Sequence, residues 1–159
     1  MPSARRPQRG PSGFTLIELL AVIGVAGVVT ATAVPRLTAL AGEARYASLQ
    51  VAQGALASVA ASAHGQFLID GAATQTFEDV TLPMVNGYPG ADARVANAAG
   101  LARGYTVHAR AANTMIIVPR DLAGTDAAAR CYLVYTQSPT PRTPPTIAIG
   151  DGTTAAACS

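Results

Sequence analysis

The chain has 159 residues, room for one domain with a modest core. Half of the residues are hydrophobic and 13% are charged, which is unusually apolar for a freely soluble domain; 5% aromatics and no Trp leave little to build a base-stacking surface from. The formal charge of +2 rests on Arg5, Arg6 and Arg9, and taking those three away leaves the remainder at −1, which argues against nucleic acid as a partner.

Residues Met1–Gly13 are polar, rich in Pro and Arg, and end in Pro-Ser-Gly. Phe14–Val34 then runs with a single charge, Glu18. As a helix this stretch spans about 31 Å, enough to cross a bilayer, and the arginines before it are the signal that keeps the leader cytoplasmic. Three readings compete. An export signal removed after Ala31-Thr32-Ala33 needs a shorter apolar run and no carboxylate near its start. A plain transmembrane anchor explains the length but not Glu18. A short basic leader cut between Gly13 and Phe14, with the apolar helix retained, explains both. Glu18 itself has two readings. Thr15-x-x-Glu18 fits a capping box, whereas a carboxylate inside an apolar segment costs about 2.5–3.5 kcal/mol and usually marks function.

Gly13-Phe14-Thr15-Leu16-Ile17-Glu18-Leu19-Leu20 resembles the prepilin signature shared by type IV pilins and type II secretion pseudopilins. The resemblance implies cleavage after Gly13 by a prepilin peptidase and N-methylation of Phe14. It also gives Glu18 a partner, the cationic amino terminus of a neighbouring subunit, so that charge pairing sets the register between copies. Pro35 falls where many of these pilins have a helix-disturbing proline, and its missing N–H leaves the Ala31 carbonyl without its bond, so a kink is expected there. Gly24 and Gly27 permit close helix approach in a membrane or bundle.

Beyond Pro35 the apolar residues continue at helical spacing in two stripes. One is Leu37, Leu40, Ala44, Val51 and Ala55; the other is Leu49, Ala52, Leu56, Val59, Ala63 and Phe67. Phe14–Phe67 therefore reads as one helix of about 54 residues, near 80 Å if unbroken. A domain this small cannot bury all of it, so the outer half is expected to enter a membrane and then to pack against further copies.

Ile69-Asp70-Gly71 closes the helix. Residues 68–103 read as a connecting region with a strand at Val80–Val85, confined to an edge by Pro83, a turn at Asn86-Gly87-Tyr88-Pro89-Gly90, and a weak helix at Asp92–Arg103. Strand-like runs follow at Tyr105–Arg110, Thr114–Val118, Cys131–Gln137 and Thr146–Ile149, as for a small antiparallel sheet against the helix. Cys131 and Cys158 are compatible with two buried thiols, but a cysteine at a chain end more often pins a tail by a disulfide. In the pilin family the corresponding segment is a disulfide-bonded surface loop. No metal or cofactor is expected, since His64 and His108 lie far apart and lack companions at ligand spacing.

The resemblance implies the type IV pilin fold, an α+β architecture with one long N-terminal helix on a small antiparallel sheet. Its parts are a cleaved leader (1–13), a transmembrane and filament-core helix (14–34), an amphipathic half (35–67) and a head (68–159). Pro35-Arg36-Leu37, Glu43-Ala44-Arg45, Asn86-Gly87-Tyr88-Pro89, Cys131-Tyr132-Leu133-Val134-Tyr135 and Cys158 are similar to mannose-sensitive haemagglutinin-type pilins. The expected product is a bacterial inner-membrane precursor that becomes part of an extracellular homopolymer. Its partners would be the peptidase and the assembly machinery (inner-membrane platform, ATPase and secretin). A secretion pseudopilin, a minor pilin and a DNA-uptake pilus are the alternatives. No nucleophile elbow, phosphate loop or catalytic carboxylate pair is present to suggest an enzyme.

Overall fold

The computed structural model describes residues 14–77 and 79–159, without the side chains of Pro35, Leu37 and Thr38. The leader, Gly13 included, lies outside the described residues. The chain divides into two units, one ending at Leu37 and the other running from Thr38 to Ser159. Helix α1 (Leu16–Asp70) contributes to both, and Pro35 lies within it. Its end is set by Gly71, whose φ of +65° suits a residue without Cβ and whose N–H donates to the Phe67 carbonyl at 2.8 Å. Asp70 secures the exit by accepting from Ala72 N (2.9 Å) and Gln75 Nε2 (2.7 Å).

In the second unit, Leu49, Ala52, Leu56, Ala60 and Ala63 are buried at three- and four-residue spacing. This is the stripe of α1 that carries the core. Of the other stripe, Leu40 (58% exposed), Ala44 and Val51 (74% exposed) stay uncovered, while Ala55 is half-buried. The core is completed by two antiparallel sheets rather than the single one expected. The first comprises β1 (Thr74–Phe77), β2 (Val80–Val85) and β3 (Tyr88–Pro89); after α2 (Ala93–Ala98), the second is a meander of β4 (Tyr105–Ala111), β5 (Thr114–Pro119), β6 (Leu133–Thr136) and β7 (Thr146–Ile149). Met115 faces Tyr135 and Ile117 faces Leu133 across β5 and β6, and all four side chains are buried. Helix α1 is stitched to both edges of the meander. Tyr105 Oη donates to the Ser48 carbonyl at 2.9 Å, and Gln53 Nε2 donates to the Ile147 carbonyl at 2.7 Å.

Two sequence expectations are corrected here. Strand β2 is central in its sheet, not an edge, although it contains Pro83. Met84 N–H donates to Ala73 on the β1 side, so the nitrogen of Pro83 points toward β3. The carbonyl that an N–H there would reach, that of Gly90, is instead taken by Asp92 N–H at 2.9 Å, and the proline costs no ladder bond. Helix α2 is six residues long, not twelve. Asp92 caps its start through Arg94 N–H, and Gly100 (φ +74°) ends it in a Schellman arrangement, with Leu101 N–H on Ala96 and Gly100 N–H on Asn97. The Asn86-Gly87 pair, with φ of 54° and 85°, forms the two-residue turn that joins β2 to β3.

Three bonds tie this hairpin region to the end of β6. Tyr135 Oη donates to the Pro89 carbonyl (2.7 Å), Asn86 Nδ2 to the Ser138 carbonyl (2.9 Å), and Ala91 N–H to Gln137 Oε1 (3.1 Å). Burial pushes the Tyr135 hydroxyl well above the usual phenol range. The folded state keeps that proton where the unfolded chain loses it near pH 10, so stability falls as pH rises past about 10, by up to ~1.4 kcal/mol per unit. Alkaline denaturation compared with Tyr135→Phe checks this; the variant is expected to have a weaker alkaline slope despite losing the bond to Pro89.

The chain end is held against α1. Cys131, just before β6, is bonded to Cys158, with 5.0 Å between their Cα atoms and both residues fully buried. Arg45 of α1 donates from Nη1 to the Cys158 carbonyl (2.7 Å) and from Nε to Asp121 Oδ2 (2.8 Å). Beside it, Gly42 is where the last residues touch the helix. A Cβ at this position would overlap the Ala155 carbonyl oxygen and sit 2.6 Å from Ser159 Oγ. Gly42→Ala is therefore expected to cost about 1–3 kcal/mol through overpacking, measured as a lower denaturation midpoint with faster proteolysis of the last residues. Thr153 has the opposite problem: among the described residues its buried hydroxyl has no hydrogen-bond partner. Thr153→Val keeps the shape and removes the unpaired group, and is expected to stabilise the head by about 1 kcal/mol with an unchanged m-value.

Candidate functional site

The N-terminal unit is built from an apolar helix and one polar knot. Phe14 and Thr15 precede the first turn, and Leu19 N–H donates to the Thr15 carbonyl at 3.2 Å to start the ladder. Thr15 is the cap. Its Oγ1 accepts from Glu18 N–H (3.3 Å), while Glu18 Oε2 accepts from Thr15 N–H (2.9 Å) and from Thr15 Oγ1 (2.7 Å). Donors that a helix start leaves unpaired are thus satisfied reciprocally. Both bonds to the carboxylate fall on Oε2; among the described residues, Oε1 accepts none.

Behind the knot the surface is almost wholly apolar. Phe14, Leu16 and Ile17 are exposed, as are Leu19, Leu20, Val22 and the valines beyond, and none of the most hydrophobic window is buried. Thr30 and Thr32 do not interrupt it, because their hydroxyls donate back to helix carbonyls (Thr30 to Ala26 at 2.8 Å, Thr32 to Val29 at 3.0 Å). A Cβ on Gly24 or Gly27 would meet nothing within 4 Å, so each glycine is a shallow notch in the helix surface. The segment is long and apolar enough to cross a membrane.

Of the residues singled out in the sequence, Phe14 and Glu18 belong to this unit and Cys131 and Cys158 to the other. His108 is exposed on β4. His64 is half-buried and stacked on Tyr88, with ring centroids 4.0 Å apart and planes 7° apart. Its Nδ1 lies 2.8 Å from the Gly87 carbonyl, which can only accept, so Nδ1 carries the proton. Neither this contact between α1 and the hairpin nor the Arg45 bridge was visible in the sequence. A His and a Tyr twenty-four positions apart, and an Arg in a helix, carry no local signal.

The family model of the prokaryotic N-terminal methylation motif matches residues 8–34, which take in the capped tip and the apolar helix behind it. No curated protein matches the chain, and no solved structure does. The motif implies processing by a prepilin peptidase, membrane anchoring before assembly, and assembly with further copies.

Proposed function

We propose that this chain, made type IV pilin- or pseudopilin-like by its N-terminal methylation motif, is the structural subunit of a type IV pilus. The observation that carries the reading is an unburied, membrane-length apolar helix with one carboxylate at its capped tip. Such a surface is stable in lipid or against copies of itself, and a carboxylate placed in it needs a cation.

On this reading the peptidase cuts between Gly13 and Phe14, and Phe14 is methylated. Residues 14–34 leave the bilayer for the filament core. Glu18 accepts from the amino terminus of a neighbouring copy through Oε1, which capping does not use. Gly24 and Gly27 let backbones approach, and Pro35 kinks or locally unwinds the helix. Exposed Leu40 and Val51 give the second unit apolar positions of its own for contact with further copies. The gain is in close fit and charge pairing, because lipid already removes the apolar surface from water. An inner-membrane platform, an assembly ATPase and a secretin would drive and guide the fibre.

The secretion pseudopilin is the second reading. The disulfide at the C-terminal end supports the pilus, since it occupies the region where major pseudopilins typically hold calcium, and Asp151 there stands between two glycines. The segments similar to mannose-sensitive haemagglutinin-type pilins support an adhesive fibre. Deleting the gene and imaging sheared cell surfaces tests the choice. Loss of filaments that contain a chain beginning at N-methylated Phe14 supports the pilus. Intact filaments with failed protein secretion would transfer the chain to the second reading.

A further inference from the structure

The segment joining β6 to β7 reads Ser138-Pro139-Thr140-Pro141-Arg142-Thr143-Pro144-Pro145, with a proline after every hydroxyl residue. Each proline removes an amide donor and biases the residue before it toward extended backbone, so hydroxyls here are displayed rather than absorbed into a ladder. The three are not equivalent. Ser138 is buried, donates to the Thr140 carbonyl at 2.9 Å and accepts at its own carbonyl from Asn86, so it is part of the fold.

Thr140 and Thr143 are exposed on a tight turn, closed by Thr143 N–H on the Thr140 carbonyl at 3.1 Å. Pro141 and Arg142 occupy its corners, Arg142 with φ of 70°, a left-handed position where glycine is usual. The two hydroxyls lie 2.8 Å apart, and among the described residues each bonds only to the other. Pro144 and Pro145 seat the base of the loop beside Ala60, His64 and Tyr88, around a cleft of about 270 Å³. The result is a firmly based turn that presents two threonine hydroxyls which, among the described residues, bond to each other and to nothing else in the head. Hydroxyl residues interleaved with proline are also the composition of O-glycosylated segments.

We propose that Thr140 and Thr143 are acceptors for O-linked sugar. In the reaction, threonine Oγ1 attacks the anomeric carbon of a sugar carried on a nucleotide or lipid diphosphate. The bond from that carbon to the phosphate oxygen breaks, the diphosphate leaves with the electron pair, and a base of the transferring enzyme takes the hydroxyl proton. The proposal rests on export of the head, which is part of the reading above.

One digest separates the two. All basic residues other than histidine are arginine, so trypsin acting on the reduced chain releases Cys131–Arg142, with Thr140, and Thr143–Ser159. The chain should be taken from its native cells, where the transferring enzyme is present. A hexose or hexosamine increment on Thr140 or Thr143, located by electron-transfer fragmentation and lost in T140V/T143V while the disulfide still forms, is the expected result. Both peptides at unmodified mass, an increment of phosphate, or sugar found only on Ser138, Thr136 or Thr146 would overturn it. The peptide from N-methylated Phe14 to Arg36 reports processing independently, so unmodified threonines sink this proposal whether or not the pilin reading stands.

Discussion

Replacing Glu18 by alanine or by glutamine is expected to reduce sheared surface filaments about 100-fold while leader cleavage continues. Removing one partner of a buried charge pair typically costs about 3–5 kcal/mol, and ~2.7 kcal/mol already corresponds to that factor. The two variants part the roles of this side chain. Alanine removes the acceptor for Thr15 N–H and Oγ1 as well as the charge. Glutamine keeps an oxygen at the same place, so the capping box survives, and only the charge is lost. If pairing with a neighbouring amino terminus sets the register, both variants fail alike. Filaments from Glu18→Gln at the parental level, with Glu18→Ala defective, would assign the residue to capping alone. The mass of the membrane-bound chain, read in parallel, shows whether it begins at Phe14 and so whether cleavage was spared.

The residues that were legible are those whose signal is local. A membrane-length apolar run with one acid, an Asn-Gly turn and the strand-like runs Thr114–Val118 and Thr146–Ile149 declare helix, turn and strand without reference to anything distant. Of the two stripes on α1, both were readable, but which one the head covers depends on where β4 and β7 bond the helix, through Ser48 and Gln53. Strand β1 was missed because Thr74-Gln75-Thr76-Phe77 looks like a polar loop; Gln75 is buried only because Asp70 accepts its side-chain amide. Pro83 misled for a related reason. Its missing donor is harmless only where a neighbouring turn has already taken the opposing carbonyl, and that turn is made by Asp92, nine residues further on. The apolar tip was readable in full, since its capping box spans four residues and needs no tertiary partner.

The Cys131–Cys158 bond is expected to carry a large share of the stability of the head. It closes a loop with a sequence separation of 27, containing β6, β7 and the chain end. In the chain-entropy account a loop of that size is worth about 3–4 kcal/mol, against about 5–15 kcal/mol for a whole domain. Its loss reaches further than the loop. Among the described residues the Cys158 carbonyl is one of two acceptors for Arg45, and the residues around it lie on Gly42, so release of the chain end also loosens the Arg45–Asp121 pair at 2.8 Å. Cys131→Ala/Cys158→Ala should therefore lower the unfolding midpoint of the full chain in detergent by about 10–20 °C. The parent treated with reductant should behave the same way, while the apolar segment at residues 14–34 keeps its helical signal. A midpoint within 2–3 °C of the parent's (about 0.5 kcal/mol) would mean that packing of the two fully buried side chains, not the covalent link, holds the chain end on α1. Arg45→Ala would then become the more damaging change.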